Sequence, residues 1–382
     1  MNMEISYFNE SHQIARKSIN QFVERHITPY INEWEEQSTF PKELYQLAGE
    51  AGILGIGYAE ELGGTGLNDI FMKIVASEEL MRSSSGGLVA SLGSIDIALP
   101  PIAQWGSQTL KEKVIPQVLK GEKIAALAIT EPGAGSDVAN IKTKAVKEGD
   151  FYRVNGSKMF ITSGIRADYY TVAVRTGGEG HAGISMLMIE KGTPGFTVGK
   201  NLKKMGWWAS DTAELFFDDC MVPAENLIGA ENGGFICIMT NFMKERLFLS
   251  IMAYMTAELA LEASLKYIKE REAFGRPIGK FQVTRHKLVD MATQVEIARE
   301  YTYRVAALMQ AGKTPIKEIS MAKNFATEVA DKVTNEAVQL FGGMGYMRES
   351  VVERLYRDSR ILSIGGGTTE IMKELIAKQM GL

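Results

Sequence analysis

The sequence predicts an α+β protein in three blocks. A helical domain fills residues 1–120, a middle antiparallel, barrel-like β-domain fills 121–231, and a C-terminal four-helix bundle fills 232–382. Three observations predict this order. Apolar residues recur at helical spacing in the first block. The middle block breaks into short β-branched and aromatic runs separated by glycine and charged turns. The last block returns to helical spacing over very long stretches, and no strand–helix alternation suggests a parallel sheet. At 382 residues the chain exceeds one simple core, so several domains are expected.

In the first block, Ser11–His26, Lys42–Ala51 and Asn68–Met81 carry helical periodicity, and Pro41 suits the opening of the second. Gly63-Gly64-Thr65-Gly66 reads as a loop, since no Lys-Ser/Thr follows to make a phosphate cradle. A break at Ser83–Gly87 leads into an apolar segment through Pro100-Pro101, which suits packed core or the wall of an acyl-chain pocket. Strands are expected at Tyr152–Val154, Tyr169–Val174, Ile184–Ile189, Phe196–Val198 and Glu214–Phe217, closed by the turn at Val222–Asn226. Helices are then expected over Gly234–Glu270, Gln282–Gln310 and Ile316–Gln339, with loops at Phe274–Pro277 and Gly342–Tyr346 and a last helix from about Thr369.

Composition narrows the classes. At 45% hydrophobic and 23% charged the chain is an ordinary globular protein. A net charge of −4 argues against a nucleic-acid partner or an anionic membrane surface. Cys220 and Cys237 show no metal or disulfide-framework spacing, and the four histidines are scattered, so no metal is expected. Met1–Ser6 has no signal pattern, and no apolar run long enough to span a bilayer is apparent. Two reduced thiols suit a cytoplasmic setting, and the absence of a transit-peptide pattern leads to the expectation of a bacterial one.

Two stretches carry chemistry. Ile238, Phe242, Glu245, Leu249 and Met252 fall on one helical face, so Glu245 sits in an apolar stripe. Loss of water disfavours its charge and lifts its pKa toward that of a general base, unless it is simply a paired carboxylate at a helix edge. Ala128–Asp137 holds Gly133 and Gly135, where backbone can approach a ligand closely, between the hydroxyls of Thr130 and Ser136.

With these motifs the chain resembles the acyl-CoA dehydrogenase family. Thr130–Asp137 is similar to its first signature. Phe160-Ile161-Thr162-Ser163 resembles its flavin strand, with Phe where Trp is usual. Arg271–Ile278 with Gln282 resembles its next flavin segment. Gln339–Tyr346, followed by Glu353-Arg354 and Arg357-Asp358, resembles its second signature. The matches keep the family order from about residue 50 to 380. The resemblance implies an FAD enzyme of fatty acid metabolism, of the β-oxidation type, that oxidises the α,β bond of an acyl-CoA. A carboxylate removes the α-proton while a β-hydride passes to flavin N5, giving a trans-2-enoyl-CoA. It also implies an electron-transferring flavoprotein as acceptor and a homotetramer.

Residue by residue, the resemblance places Ile129, Thr130, Gly135, Ser136, Phe160 and Thr162 around the flavin. It places Arg271, Phe274, Gln282, Gln339, Gly342 and Gly343 on the ADP half of an FAD in a neighbouring subunit. Thr368 and Glu370 match flavin contacts near the C-terminal loop. Ser136, Phe242, Met243, Arg246, Gly366 and Gly367 match substrate positions. Most of the family carries its base in a Tyr-Glu-Gly-Thr segment, but here that segment reads Gly365-Gly366-Gly367-Thr368. The long-chain and isovaleryl-type branches instead carry it in a Glu-Arg-Leu triplet, which Glu245-Arg246-Leu247 matches. Gly366 keeps a backbone N–H for the thioester oxygen. Trp207-Trp208 stands where many members have an Arg, and Met243 where isovaleryl-type enzymes have an acid. The side chains missing at Gly365 and Gly366 leave room for a medium, long or branched acyl chain. Two other classes stay open: an oxygen-reactive oxidase or monooxygenase of the same fold, and a non-catalytic flavin or acyl-CoA binding protein.

Overall fold

The computed structural model describes residues 7–66 and 68–382; the Met1–Ser6 segment read for signal character lies outside them. Helices come first: α1 Glu10–His26, α2 Ile31–Gln37, α3 Glu43–Glu50, α4 Ile70–Met81, α5 Gly86–Leu92, α6 Ile95–Trp105 and α7 Gln108–Leu119. Strands follow: β1 Ala125–Ala128, β2 Lys144–Glu148, β3 Phe151–Thr162, β4 Tyr169–Arg175, β5 Ile184–Glu190, β6 Phe196–Asn201, β7 Thr212–Pro223 and β8 Leu227–Ile228. The chain then makes α8 Gly234–Glu270, a small hairpin of β9 Glu272–Ala273 and β10 Arg276–Pro277, and the helices α9 Gln282–Gln310, α10 Ile316–Phe341, α11 Val351–Ser359 and α12 Thr369–Met380.

The apolar segment after Ser83–Gly87 is helical, although it holds Pro100 and Pro101 inside α6. Ser85 starts α5 by accepting a hydrogen bond from the Leu88 N–H at 3.2 Å. Pro101 lacks the N–H that would have bonded the Ile97 carbonyl. Asn241 on α8 supplies the missing donor, its Nδ2 lying 2.7 Å from that oxygen. The prolines therefore do not break α6. They free a carbonyl that ties α6 to α8, the two helices that later flank a cavity.

The sheet runs β6-β7-β3-β2-β4-β5-β8, with β1 paired to β4. It is mostly antiparallel, but β1 lies parallel to β4 from Ala125↔Tyr169 to Ala128↔Val172, and β2 also meets β4 in parallel. The alanine-rich β1 and the charged β2 carry few β-branched residues, which hid them in the sequence. Strand β3 alternates as period two requires: Tyr152, Val154 and Lys158 all point inward. Lys158, fully buried, pairs with Glu131 at 2.7 Å beneath the glycine loop.

Asp358 on α11 joins the three layers. Its buried carboxylate accepts the Gly86 N–H of α5 at 3.0 Å and the Trp207 N–H, from the segment between β6 and β7, at 2.6 Å. Burial and the nearby Glu35 push its pKa up to about 7. Trp208 is sandwiched by cations: Arg357 lies 3.6 Å and Arg348 4.2 Å from its ring centre. Arg357 of α11 and Arg348 of the turn before it thus occupy the neighbourhood of Trp208. One sequence expectation is corrected. Gly86–Trp105 and Gly234–Glu270 are long and apolar enough to cross a membrane by composition, but 72% and 78% of their apolar windows are buried inside the protein, as core helices are.

Candidate active site

Helix α8 lies along the middle of the bundle and its apolar face packs inward: Ile238, Leu249 and Met252 are all buried. Glu245 interrupts that face. Its Oε2 is sealed from solvent without a hydrogen-bond partner, and among the described residues nothing donates to either oxygen. Glu245 helps to line a cleft of about 680 Å³ that opens to solvent. Burial pushes its pKa up to about 7, while the Arg246 and Lys323 charges pull it partway back. A carboxyl group titrating near neutrality, unpaired and open to a cavity, is placed to take a proton.

The cavity runs between α4, α6 and α8, with Ile70, Ile74, Ile97, Pro100, Leu247, Phe248 and Ile251 in its wall. The apolar segment ending in Pro100-Pro101 therefore serves as both packed core and pocket wall. The Gly365–Gly367 turn sits against Glu245 on another side. A Cβ at Gly366 would come 3.7 Å from Glu245 Oε1 but 2.5 Å from Leu249 Cδ1, and Gly366 has φ +64°. A side chain there would be strained by the backbone and would have to push the end of Leu249 aside. Two buried cations hold this turn. Arg246 Nε donates to the Gly366 carbonyl at 3.2 Å and Lys323 Nζ to the Gly367 carbonyl at 2.6 Å. Thr368 then caps α12 through the Ile371 N–H.

The expected substrate residues divide. Met243 lines the cavity with Glu245, whereas Ser136, Phe242, Arg246, Gly366 and Gly367 are not part of that wall. Arg246 departs most from its expected role. It is 7% exposed, it spends its Nε on the Gly366 carbonyl, and its guanidinium lies 5.8 Å from the Phe242 ring centre. It positions the turn and does not reach into the cavity.

The residues expected at a cofactor gather in two places. In the middle domain, the Met159 N–H donates to the Thr130 carbonyl at 2.8 Å and Lys158 Nζ to the Ile129 carbonyl at 3.0 Å, so the glycine loop lies along β3 beside Phe160 and Thr162. Ser136 and Gly135 are exposed, and a Cβ at Gly133 or Gly135 would meet nothing within 4 Å. Phe160 is 61% exposed at φ +60°. At the end of the bundle, Tyr267 stacks on Phe341 at 4.0 Å and donates to its carbonyl, which brings Gln339, Gly342 and Gly343 to the α8 terminus where Arg271 sits. Phe274 turns the hairpin there at 95% exposure, and Gln282 opens α9. Among the described residues the Arg271 side chain has no ion-pair partner. Glu370 lies exposed in the first turn of α12. An open glycine loop, a bare aromatic ring and an unpaired arginine fit a flat heteroaromatic group that carries a diphosphate.

Several site residues escaped the sequence reading. Lys323 shares the α10 face of Ile319, Ala326 and Ala330, so a lone cation on that apolar face was the available signal. Burial and the Arg246 charge lower its pKa to about 8. Lys158 is an inward position of β3 that lies beyond the expected strand Tyr152–Val154. Lys73, Asp96 and Lys244, all in the cavity wall, gave no local signal.

Three family models match the chain: acyl-CoA dehydrogenase N-terminal domain over 9–122, middle domain over 126–220 and C-terminal domain over 232–381. The long-chain specific acyl-CoA dehydrogenase of Rattus norvegicus mitochondria is 40% identical over 98% of this chain and 87% of its own length. The crystal structure of an acyl-CoA dehydrogenase from Geobacillus kaustophilus superposes with TM-score 0.96 at 43% identity, covering 99% of this chain and 100% of that one. A chain from a structure of the electron transferring flavoprotein of Acidaminococcus fermentans superposes at 0.95 and 39% identity, covering 100% of this chain and 99% of that one.

Proposed function

Since the chain belongs to the acyl-CoA dehydrogenase family, whose members are FAD flavoproteins, we propose that Glu245 is the base that removes the α-proton of a medium-chain, long-chain or branched acyl-CoA bound in the 680 Å³ cavity. The observation that carries this reading is the Glu245 carboxylate: unpaired, on the cavity wall, with its pKa near 7. A base poised near the working pH combines a large deprotonated fraction with enough proton affinity.

The chain's own groups divide the work. Glu245 takes the α-proton, and the carbon it leaves gains the electron pair that becomes the α,β double bond. Gly366, on the turn that adjoins Glu245 just outside the cavity wall, would offer its N–H to a thioester oxygen placed beside the base, where negative charge develops. Arg246 and Lys323 fix the carbonyls of this turn, so the donor is set before reaction. The apolar wall keeps water from the carbanion-like centre. When bound, FAD supplies the acceptor for the β-hydride. Thr130, Gly135, Ser136, Phe160 and Thr162 would hold its ring side. Arg271, Phe274, Gln282, Gln339 and Gly343 would hold the ADP half of an FAD in a neighbouring copy. The exposed Phe274, Tyr346, Val283 and Val289 on the bundle support contact between copies, read here as a homotetramer. The three domains, divided near 120 and 231, each contribute to this site. An electron-transferring flavoprotein would take the electrons, and the close bacterial relatives fit a cytoplasmic enzyme.

Anaerobic bleaching of the bound flavin by a panel of straight and branched acyl-CoAs tests the reading. Medium, long or branched thioesters bleach the wild type, and Glu245→Gln binds them without bleaching. Bleaching by the variant at the wild-type rate would remove Glu245 from the role, and bleaching by butyryl-CoA alone would remove the chain-length assignment.

A further inference from the structure

Phe248 stands about one turn beyond Glu245 on α8 and belongs to two spaces at once. On one side it lines the cleft together with Glu245. On the other it lines a second, small void of about 30 Å³, whose walls include the buried Leu54, Leu80, Val89 and Leu92. Lys73, Ser77 and Asp96 also border both spaces, and the Lys73–Asp96 pair at 2.5 Å fixes that part of the boundary. Phe248 is the apolar member of the boundary. The void by itself has room for about one or two waters, far less than an acyl tail needs. Gly93 meets the ring from the void side. Its φ of −77° suits any residue, so the backbone does not demand a glycine there. Contact does: a Cβ at Gly93 would come 3.0 Å from Phe248 Cζ and 3.0 Å from the Val89 carbonyl oxygen. Gly93 lines the void and not the cleft, so a side chain there would press the ring toward the cleft.

We propose that Phe248 is a specificity-determining partition: its ring closes the cleft toward the void and so limits the length and bulk of the acyl tail that the enzyme turns over efficiently. This rests on the thioester reading of the site. The walls give the direction of the tail. The exposed charges of Glu61, Lys244 and Lys313 mark where the cleft meets solvent. An apolar tail gains by leaving water for the buried Ile74, Leu247 and Ile251, and from Glu245 that path along α8 passes the Phe248 ring. A ring in that place takes the room of several methylenes, each worth about tenfold or more in discrimination. The void behind it, kept open by the missing side chain at Gly93, is the space that a smaller residue at 248 would add to the cleft.

The test measures, on the FAD-loaded enzyme, the ratio of kcat/KM for palmitoyl-CoA to that for octanoyl-CoA. Phe248→Ala raises the ratio about ten- to a hundredfold over wild type, the scale of one or two accommodated methylenes. Phe248→Leu moves it the same way by less. Gly93→Ala lowers it, because the displaced ring narrows the cleft. In the Phe248→Ala background Gly93→Ala changes nothing further, since no ring is left to displace; this failure of additivity is the signature of a shared partition. A ratio that Phe248→Ala leaves unchanged while both kcat/KM values fall would overturn the proposal and leave Phe248 as packing. So would a Gly93→Ala effect of equal size in both backgrounds. Should Phe248→Ala fail to fold, the Leu variant decides, and an unshifted ratio there overturns the proposal. If no thioester reduced the wild-type flavin, the dehydrogenase reading would fail and this inference with it; reduction with unshifted ratios would overturn this inference alone.

Discussion

Two buried glutamates show how one side chain is turned to opposite uses. Glu131 lies under the glycine loop. Its Oε1 accepts Lys158 Nζ at 2.7 Å and the Thr143 N–H at 2.9 Å, and its Oε2 accepts the Lys142 N–H at 2.6 Å. Burial alone would raise its pKa, but the Lys158 charge and these hydrogen bonds outweigh it and hold the carboxylate below its ordinary range. Glu245, on the cavity wall, has no donor, and burial lifts its pKa to about 7. Burial does not set the direction; the partners do. One carboxylate is locked as a structural anion, and the other is left free to exchange a proton.

The contrast breaks most visibly at the free carboxylate. Glu245→Gln should lower the rate of flavin reduction by about a hundred- to ten-thousandfold, the usual worth of a positioned base, with thioester binding retained. At the paired carboxylate the loss should be in stability. Lys158→Met leaves Glu131 buried without its cation, which costs about 3–5 kcal/mol and is read as a lower denaturation midpoint. The same Glu245→Gln change should stabilise the fold at pH 8. The folded pKa of Glu245 lies above its ordinary value of 4.5, so wild-type stability falls as pH rises from about 4.5 through about 7. The variant escapes that loss, gaining on the order of 3 kcal/mol above pH 7 and nothing below pH 4. Denaturation at two pH values checks the sign.

Smaller effects sharpen the comparison. Gly366→Ala forces a side chain into φ +64° and against Leu249, which should cost about 1–2 kcal/mol in denaturation and disturb the turn beside Glu245. Lys323→Met removes a charge that favours the Glu245 anion. The pH midpoint of flavin reduction should then move upward by less than about one unit, because Arg246 still contributes.

The order of helices, strands and bundle was legible because periodicity is local. The three long helices α8, α9 and α10 match their sequence spans to within two residues, since their apolar stripes run unbroken. The stretches that escaped depend on partners. Helix α6 survives two prolines because Asn241, far along the chain, accepts the burden of a missing N–H by donating to Ile97. Strands β1 and β2 are defined by β3 and β4 and not by their own composition. At the site, the residue types of Glu245 and the Gly365–Gly367 turn could be read directly, and so could the apolar stripe around Glu245. The role of Arg246 could not be read. Whether it faces a ligand or a backbone carbonyl depends on where the turn folds back, more than a hundred residues later. The same holds for Lys73, Asp96 and Lys244, which three separate helices bring to one cavity.

The central claim is that Glu245 titrates near neutrality inside the cavity. The direct measurement is the infrared carboxyl band of the oxidised holoenzyme across pH 5 to 9, taken as wild type minus Glu245→Gln. The account predicts a protonated-carboxyl band that disappears with a midpoint near 7 and is absent from the variant. A midpoint at the ordinary value near 4.5 would contradict it: the carboxylate would then be solvated or paired, and its environment would not make it a base tuned for this reaction.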